Sequence, residues 1–385
     1  MTGRSRRVAI VGASTSDCGR VDDKTAFELN FQGTTRALGD AGIDKSEVDG
    51  FMSLTGALPP VELAEYLGLR PNWVDSTGHG GSIWEFMVEH AAAAIAQGLV
   101  EVVVLTYGST QRADLKKKLR MANLSFGTRG PTQFSAPFGH PVGSHYAMVA
   151  RRHMHEFGTT IEQLAEVAVS TRYNAGLNPD AFYRDPITID DVVDAPMVWD
   201  PLTKLHCCIR TDGGGAIVMT HEERARDCAK APIWVLGTGE AASHTTMSEW
   251  EDFTESPCVR SGKLAFERAG VTPADIDVAQ VYDAFTPMVI LTLEGLGFCK
   301  KGEGGAFVED GKLRVGGALP TNTDGGGLSA CQPGMRGMFL LIEAVTQLRG
   351  EGGERQVPDA TLACVNGTSG WFTAAGTVIL GTDPN

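Results

Sequence analysis

A helix that closes on Ala-Gly and then feeds a short turn and a strand occurs twice in this chain of 385 residues. The first copy ends at Ala41-Gly42 and continues Ile43-Asp44-Lys45-Ser46-Glu47-Val48-Asp49-Gly50. The second ends at Ala269-Gly270 and continues Val271-Thr272-Pro273-Ala274-Asp275-Ile276-Asp277-Val278. Glycine takes the left-handed cap conformation without steric cost, and Asp, Ser or Thr starts the next turn. Two further pairs follow in the same order. Gly80-Gly81-Ser82 opens an apolar helix over 83–99, and Gly334-Met335-Arg336-Gly337 opens another over 338–348. The first is nearly apolar on every side past His90, as suits a helix buried between layers. Asp212-Gly213-Gly214-Gly215 precedes Ala216-Ile217-Val218-Met219, and Gly367-Thr368-Ser369-Gly370 precedes Thr377-Val378-Ile379-Leu380. Continuous apolar strands such as Val102-Val103-Val104-Leu105 belong to sheets covered on both faces. The expected fold class is α/β: two duplicated halves, 1–230 and 231–385, layered α-β-α-β-α.

The first half carries an insertion over about 110–200. Its opening, Gln111 to Gly139, is rich in Gly, Pro and Phe and reads as a long loop, a length usually reserved for function. Phe126, Phe134 and Phe138 are candidates to line an acyl pocket or to anchor the loop. Helices follow over 144–157 and 160–175, the second with a Thr160/Gln163 capping box.

The net charge of −14 argues against nucleic acid or an anionic membrane surface as a partner. An anionic substrate would need a local basic patch, for which Arg112 to Arg120, with Lys116-Lys117-Lys118, is the candidate. The eight cysteines include no CxxC pair, so no structural zinc site is expected in this chain. No apolar run reaches membrane-spanning length, and the first residues lead straight into a strand rather than a leader. A cytoplasmic, reduced protein is the expectation.

Three polar or glycine-rich segments stand beside apolar elements in the second half: Tyr282-Asp283-Ala284-Phe285, Asn322-Thr323-Asp324-Gly325-Gly326-Gly327-Leu328-Ser329 and Cys364-Val365-Asn366-Gly367-Thr368-Ser369-Gly370. Converging on one pocket, they would bring backbone N–H groups close to a ligand and offer donors to a developing oxyanion. This order resembles the thiolase superfamily. The segments from His145 to Pro179, Cys207-Cys208-Ile209-Arg210-Thr211-Asp212-Gly213-Gly214-Gly215-Ala216 and Tyr282-Asp283-Ala284-Phe285 together resemble its lipid-transfer or sterol-carrier branch. The resemblance spans nearly the whole chain. It implies a homodimer with the five-layer fold, acting on acyl-coenzyme A thioesters. It also implies a small partner subunit with a zinc ribbon and an OB fold, so that any zinc belongs to the partner and coenzyme A enters as part of the substrate.

The departures from the family carry the chemistry. A thiolase places a nucleophilic Cys at the start of the first buried helix, where the helix dipole favours thiolate. Matching its Cys-x-x-Gly pattern to Gly81 puts Gly78 at the Cys position, with Ser82 beside it, and the segment 75–82 has no Cys. The Gly-His-Pro loop is replaced by Ala330-Cys331-Gln332-Pro333-Gly334, so Gln332 stands where a His is expected and cannot take a proton. Gly139-His140-Pro141 has that pattern but sits in the insertion of the other half. In the last loop, either Cys364 matches the family's acid/base cysteine or Asn366 replaces a His.

A pocket without the nucleophile suits carbon–carbon cleavage with no acyl-enzyme. In a retro-aldol reaction a β-hydroxyacyl-CoA loses its hydroxyl proton, the Cα–Cβ bond breaks, and the thioester enolate collects the charge. The candidate base is Tyr282 or Asp283; the candidate donors are Gly326, Gly327, Gly367 and Asn366. Gly78, Gly81, Ser82 and Asn322 complete the expected substrate contacts. Two other readings stay open. One is a divergent thiolase acting on a bulky or aromatic β-ketoacyl-CoA with free CoA, through Cys331 or Cys364. The other is a non-catalytic acyl-CoA-binding subunit.

Overall fold

The computed structural model describes residues 6–116, 133 and 142–384. The first half comprises β1 (Val8–Thr15), α1 (Ala26–Ala41), β2 (Gly50–Met52), α2 (Val61–Leu67), β3 (Trp73–Asp75), α3 (Ile83–Ala96) and β4 (Val102–Ser109). The insertion supplies α4 (Gln111–Lys116), α5 (Val142–Phe157), α6 (Ile161–Gly176), α7 (Ile189–Val193) and a small hairpin, β5 (Met197–Trp199) with β6 (Leu202–Thr203). After β7 (Gly213–His221) and α8 (Glu222–Ala225) come β8 (Ile233–Ala242), α9 (Cys258–Ala269), β9 (Val278–Val281), α10 (Thr286–Gly295) and α11 (Gly304–Phe307). The chain closes with α12 (Gly337–Leu348), β10 (Leu362–Ser369) and β11 (Ala374–Gly381).

The strands join in the order β3-β2-β4-β7-β1-β8-β11-β10-β9. The link between β1 and β8 is short, pairing Ala9 with Trp234 and Ile10 with Ile233. From that link outward each side repeats one scheme. The first strand lies antiparallel to the last, β1 on β7 and β8 on β11. The last lies antiparallel to its sheet predecessor, β4 or β10. That strand runs parallel to the second, β2 or β9. Where β3 extends the first side, Thr321 makes only an isolated parallel bridge to Ala279. The repeated helix ends are also alike, with Gly42 and Gly270 both left-handed at φ 67° and 69°.

Helices α3 and α12 lie between the two sides, each touching strands of both. Ile83, Trp84, Met87, Ala91 and Ile95 on α3 and Met338, Leu340, Leu341 and Ala344 on α12 are buried. α12 is buried nearly all round, and α3 is wet only along a stripe through Glu89, His90 and Ala93, which is why both read as largely apolar. α1 and α2 cover the outer face of the first side and α9 that of the second. Five layers result, and the first turns of α3 and α12 meet at the centre.

The insertion begins differently from the expected loop. Thr110 closes a helical turn, accepting from the Asp114 N–H at 2.8 Å and donating its hydroxyl to the Asp114 carboxylate at 2.9 Å, so Gln111–Lys116 is helical. Lys117, Lys118, Phe126, Phe134, Phe138 and the Gly139-His140-Pro141 motif lie outside the described residues. No helix among the described residues is long and apolar enough to cross a membrane.

Candidate active site

The loop after β9 begins with the Tyr282 N–H donating to Asn366 O at 3.0 Å, which ties it to β10. The next side chain, Asp283, is fully buried. Its two oxygens accept the N–H groups of Gly327 at 2.7 Å and Leu328 at 3.2 Å, and Arg336 Nε lies at 3.5 Å. Burial pushes this carboxyl up, while Arg336 and the two N–H donors pull it back. Arg336, itself fully buried, also grips Asp324 with one nitrogen at 2.5 and 2.6 Å and donates to Cys331 O at 2.9 Å. One guanidinium thus clamps the 282, 324 and 331 segments together. Between them Gly326–Ala330 forms a single π-helical turn, whose first glycines take positive φ (100° at Gly325, 62° at Gly326). Such turns gather at functional sites.

The clamp corrects part of the sequence reading. The Gly326 N–H donates to Asp324 at 3.0 Å and the Gly327 N–H to Asp283, so neither is free for an oxyanion. Asp283 serves as an anchor rather than a base. The Asn322 side-chain oxygen accepts the Val281 N–H at 2.9 Å, while its Nδ2 has no hydrogen-bond partner among the described residues. Alternation along β10 separates the remaining candidates. Gly367 faces α3, where an added Cβ would meet Glu85 Oε2 at 2.1 Å. Asn366 faces the other way and donates to Gly376 O at 3.2 Å and to Thr377 Oγ1 at 2.8 Å. Cys364 shares that outer face, fully buried, and burial pushes its thiol well up. Cys331 directs its sulfur at Thr211 (3.2 Å) and Cys18, behind the loop. Burial raises its thiol, but hydrogen bonds from Cys18 and Thr211 outweigh that and leave it below the ordinary value.

Tyr282 and Gln332 do come together. With the amide assigned so that Nε2 faces the phenol, Gln332 donates to Tyr282 Oη at 3.1 Å, leaving the phenol proton free to be given elsewhere. Burial holds the Tyr282 phenol above its ordinary range, so it is a donor and not a phenolate base. Gly81 lies against its ring: a Cβ there would fall 2.3 Å from Tyr282 Cε2 and 2.5 Å from Thr368 O. Gly78, by contrast, has open space where a side chain would stand.

Sequence reasoning missed a hydroxyl–imidazole cluster at the mouth of α3. Ser369 Oγ accepts the Ser82 N–H at 3.0 Å and lies 2.6 Å from Ser82 Oγ and 3.2 Å from His79 Nδ1. Ser82 Oγ is 3.4 Å from the same nitrogen. Both serines are fully buried, and burial lowers the imidazole pKa below 6.5. The signal was present in the two segments, His79 to Ser82 and Thr368 to Gly370, but they lie far apart in sequence. Glu85, one turn along α3, was missed too: it is buried, has no hydrogen-bond partner for either oxygen among the described residues, and is pushed up to about 8 by burial. Among the described residues no group of three His, Cys, Asp or Glu could hold a metal ion.

The model of the thiolase C-terminal domain-like family matches residues 239–382. The steroid side-chain-cleaving aldolase of Thermomonospora curvata is 34% identical, over 97% of this chain and 98% of its own. The 17-hydroxy-3-oxo-4-pregnene-20-carboxyl-CoA lyase of Mycobacterium tuberculosis is 35% identical, over 90% of this chain and 92% of its own. The chain belongs to the thiolase superfamily. Within it, the solved structure of the Ltp2-ChsH2(DUF35) aldolase superposes with a TM-score of 0.88 at 33% identity, covering 97% of each chain. The segment 75–82 leading into α3 contains no Cys, and the loop 330–334 contains no His.

Replacing Arg336 by Met would leave Asp283 and Asp324 buried without their partner; urea denaturation is expected to show a loss of about 3–5 kcal/mol, and an unchanged midpoint would contradict the clamp. Glu85 gives a second expectation. The unfolded chain releases this proton near the ordinary carboxyl value of 4.5, and the folded one only at about 8. Stability conferred by Glu85 therefore falls as pH rises across that window. Between pH 5 and pH 8 the wild type should lose about 2–4 kcal/mol more than Glu85→Gln; parallel unfolding curves for the two proteins would refute the assignment.

Proposed function

We propose that this chain cleaves the Cα–Cβ bond of a bulky β-hydroxyacyl-CoA by retro-aldol chemistry, without a covalent acyl-enzyme. The observation that carries the reading is the Gln332–Tyr282 pair set beside a helix mouth that lacks sulfur. With Oη already accepting from Gln332, the Tyr282 proton points to an acceptor outside the pair, the role required at a thioester oxygen as enolate charge develops. Gly81 lets the phenol approach the start of α3 closely. The open space at Gly78 leaves room for a substituted β-carbon where a thiolase keeps its cysteine. The full-length similarity to a steroid side-chain aldolase and to a pregnene-carboxyl-CoA lyase supports a fused-ring acyl group.

The same similarity supports a small partner subunit of the DUF35 type. A homodimer fits the edge strand β3, which has a strand neighbour on one side only and leaves Val74 42% exposed. All eight cysteines are free thiols, in keeping with a reduced, cytoplasmic setting.

The test is to incubate the chain and its partner subunit with β-hydroxyacyl-CoAs and β-ketoacyl-CoAs, each with and without free CoA. Cleavage of the hydroxy substrates independent of free CoA is expected. Tyr282→Phe should lower kcat by about 10²–10³-fold. Cleavage only of keto substrates, and only with free CoA, would overturn the proposal, and undiminished turnover by Tyr282→Phe would remove that residue from it.

A further inference from the structure

The retro-aldol reading needs a base for the β-hydroxyl, and neither residue expected to supply one is free to do so. Asp283 spends both oxygens on backbone N–H groups and Arg336, and Tyr282 stays a phenol. The geometry points to His79, oriented by Ser369, as the base that takes the proton from the substrate hydroxyl. This deepens the reading proposed above and rests on it.

His79 stands next to Gly78, at the mouth of α3, and Gly80-Gly81 carries the chain from it to the Tyr282 ring. A buried N–H left without an acceptor is rarer than a bare lone pair, so Nε2, unpartnered among the described residues, selects the ring's tautomer, and the hydroxyls around Ser369 accommodate it. Ser369 Oγ has two lone pairs and one proton. One lone pair takes the Ser82 N–H at 3.0 Å. In that tautomer Ser369 gives its own proton to Ser82 Oγ across the 2.6 Å contact. The second lone pair then accepts Nδ1–H of His79 at 3.2 Å. A neutral ring with its proton on Nδ1 carries a bare lone pair on Nε2, and Nε2 is buried with no hydrogen-bond partner among the described residues. A histidine held by one nitrogen and unpaired at the other is the arrangement of an oriented general base.

The groups facing the ring keep it neutral. Ser82 and Phe86 from α3 and Ser369 from β10 bear no charge; the Phe86 ring centroid is 4.1 Å away. His90, farther along α3, is bonded to Asp75 at 2.9 Å and lies 3.6 Å from Glu240, and its charge disfavours a second one on His79. Burial acts in the same direction.

In the step itself, the β-hydroxyl proton moves to Nε2 and the O–Cβ bond gains a second pair to become a carbonyl. The Cα–Cβ pair passes into the thioester enolate, whose oxygen meets the Tyr282 proton. The imidazolium proton is then available to Cα, closing the balance as a ketone or aldehyde plus a shortened acyl-CoA.

The experiment compares wild type, His79→Gln and Ser369→Ala, each with the partner subunit, on one cleavable β-hydroxyacyl-CoA across pH 4.5–9. Wild-type kcat should fall on acidification with a midpoint below 6.5, the ordinary histidine value. His79→Gln should lose about 10²–10⁴-fold in kcat and lose that acid limb. Ser369→Ala should keep the limb with a smaller loss. A folded His79→Gln that turns over within about threefold of wild type, limb intact, overturns the inference alone; a wild type that cleaves no β-hydroxyacyl-CoA overturns the parent reading as well. Should His79→Gln fail to fold, ¹⁵N-histidine NMR of the wild type decides: Nδ1 protonated and Nε2 bare supports the assignment, and the opposite tautomer sinks it.

Discussion

One buried guanidinium holds the catalytic loops in place. Arg336 sits at the start of α12, between Asp283 from the loop after β9 and Asp324 from the glycine-rich loop, and reaches Cys331 O as well. A charge this deep is tolerated only when fully paired, and removing one member of such a set exposes the desolvation cost of the rest. The geometry follows from that constraint. Asp283 must turn inward to meet Arg336, which leaves Tyr282, its chain neighbour, facing Gly81 and Gln332. Gly326 and Gly327 must present their N–H groups to the two carboxylates, which forces the π-helical turn and positive φ. The polar residues that look most reactive in the sequence are in this way largely consumed by architecture.

What remains for chemistry is small and divided. On one side of Gly80-Gly81 the Tyr282 phenol, supported by Gln332, can donate to an oxygen. On the other, His79, Ser82 and Ser369 form a connected set at the mouth of α3. Gly78, beside His79, has open space where a side chain would stand. The segment 75–82 offers no thiol for a covalent route. Donor on one side and acceptor on the other is the division of labour that bond scission to an enolate and a carbonyl requires.

The fold was more legible than the site. Paired helix ends at Gly42 and Gly270, and two largely apolar helices, report local backbone and burial, which sequence encodes directly. The candidate site depends on direction. Asn366 and Gly367 are adjacent, yet strand pleat sends the first toward α9 and exposes the second to α3, and nothing in a Cys-x-Asn-Gly string states which. Cys331 adjoins Gln332, yet its sulfur is drawn to Thr211 and Cys18 behind the loop. His79 and Ser369 become partners only because α3 and β10 meet in the middle layer. The reading of Gln111–Lys116 as the start of a loop failed for a local reason, since Thr110 closes a turn with Asp114.

The central claim is cleavage with no bond between protein and substrate carbon. Rapid quenching of the complex during turnover of a β-hydroxyacyl-CoA, followed by intact-protein mass spectrometry, tests it most directly. The account predicts that the chain keeps its unmodified mass at every time point while products accumulate. An acyl adduct that forms and decays at the turnover rate, on Ser82, Cys331 or any other side chain, would contradict it.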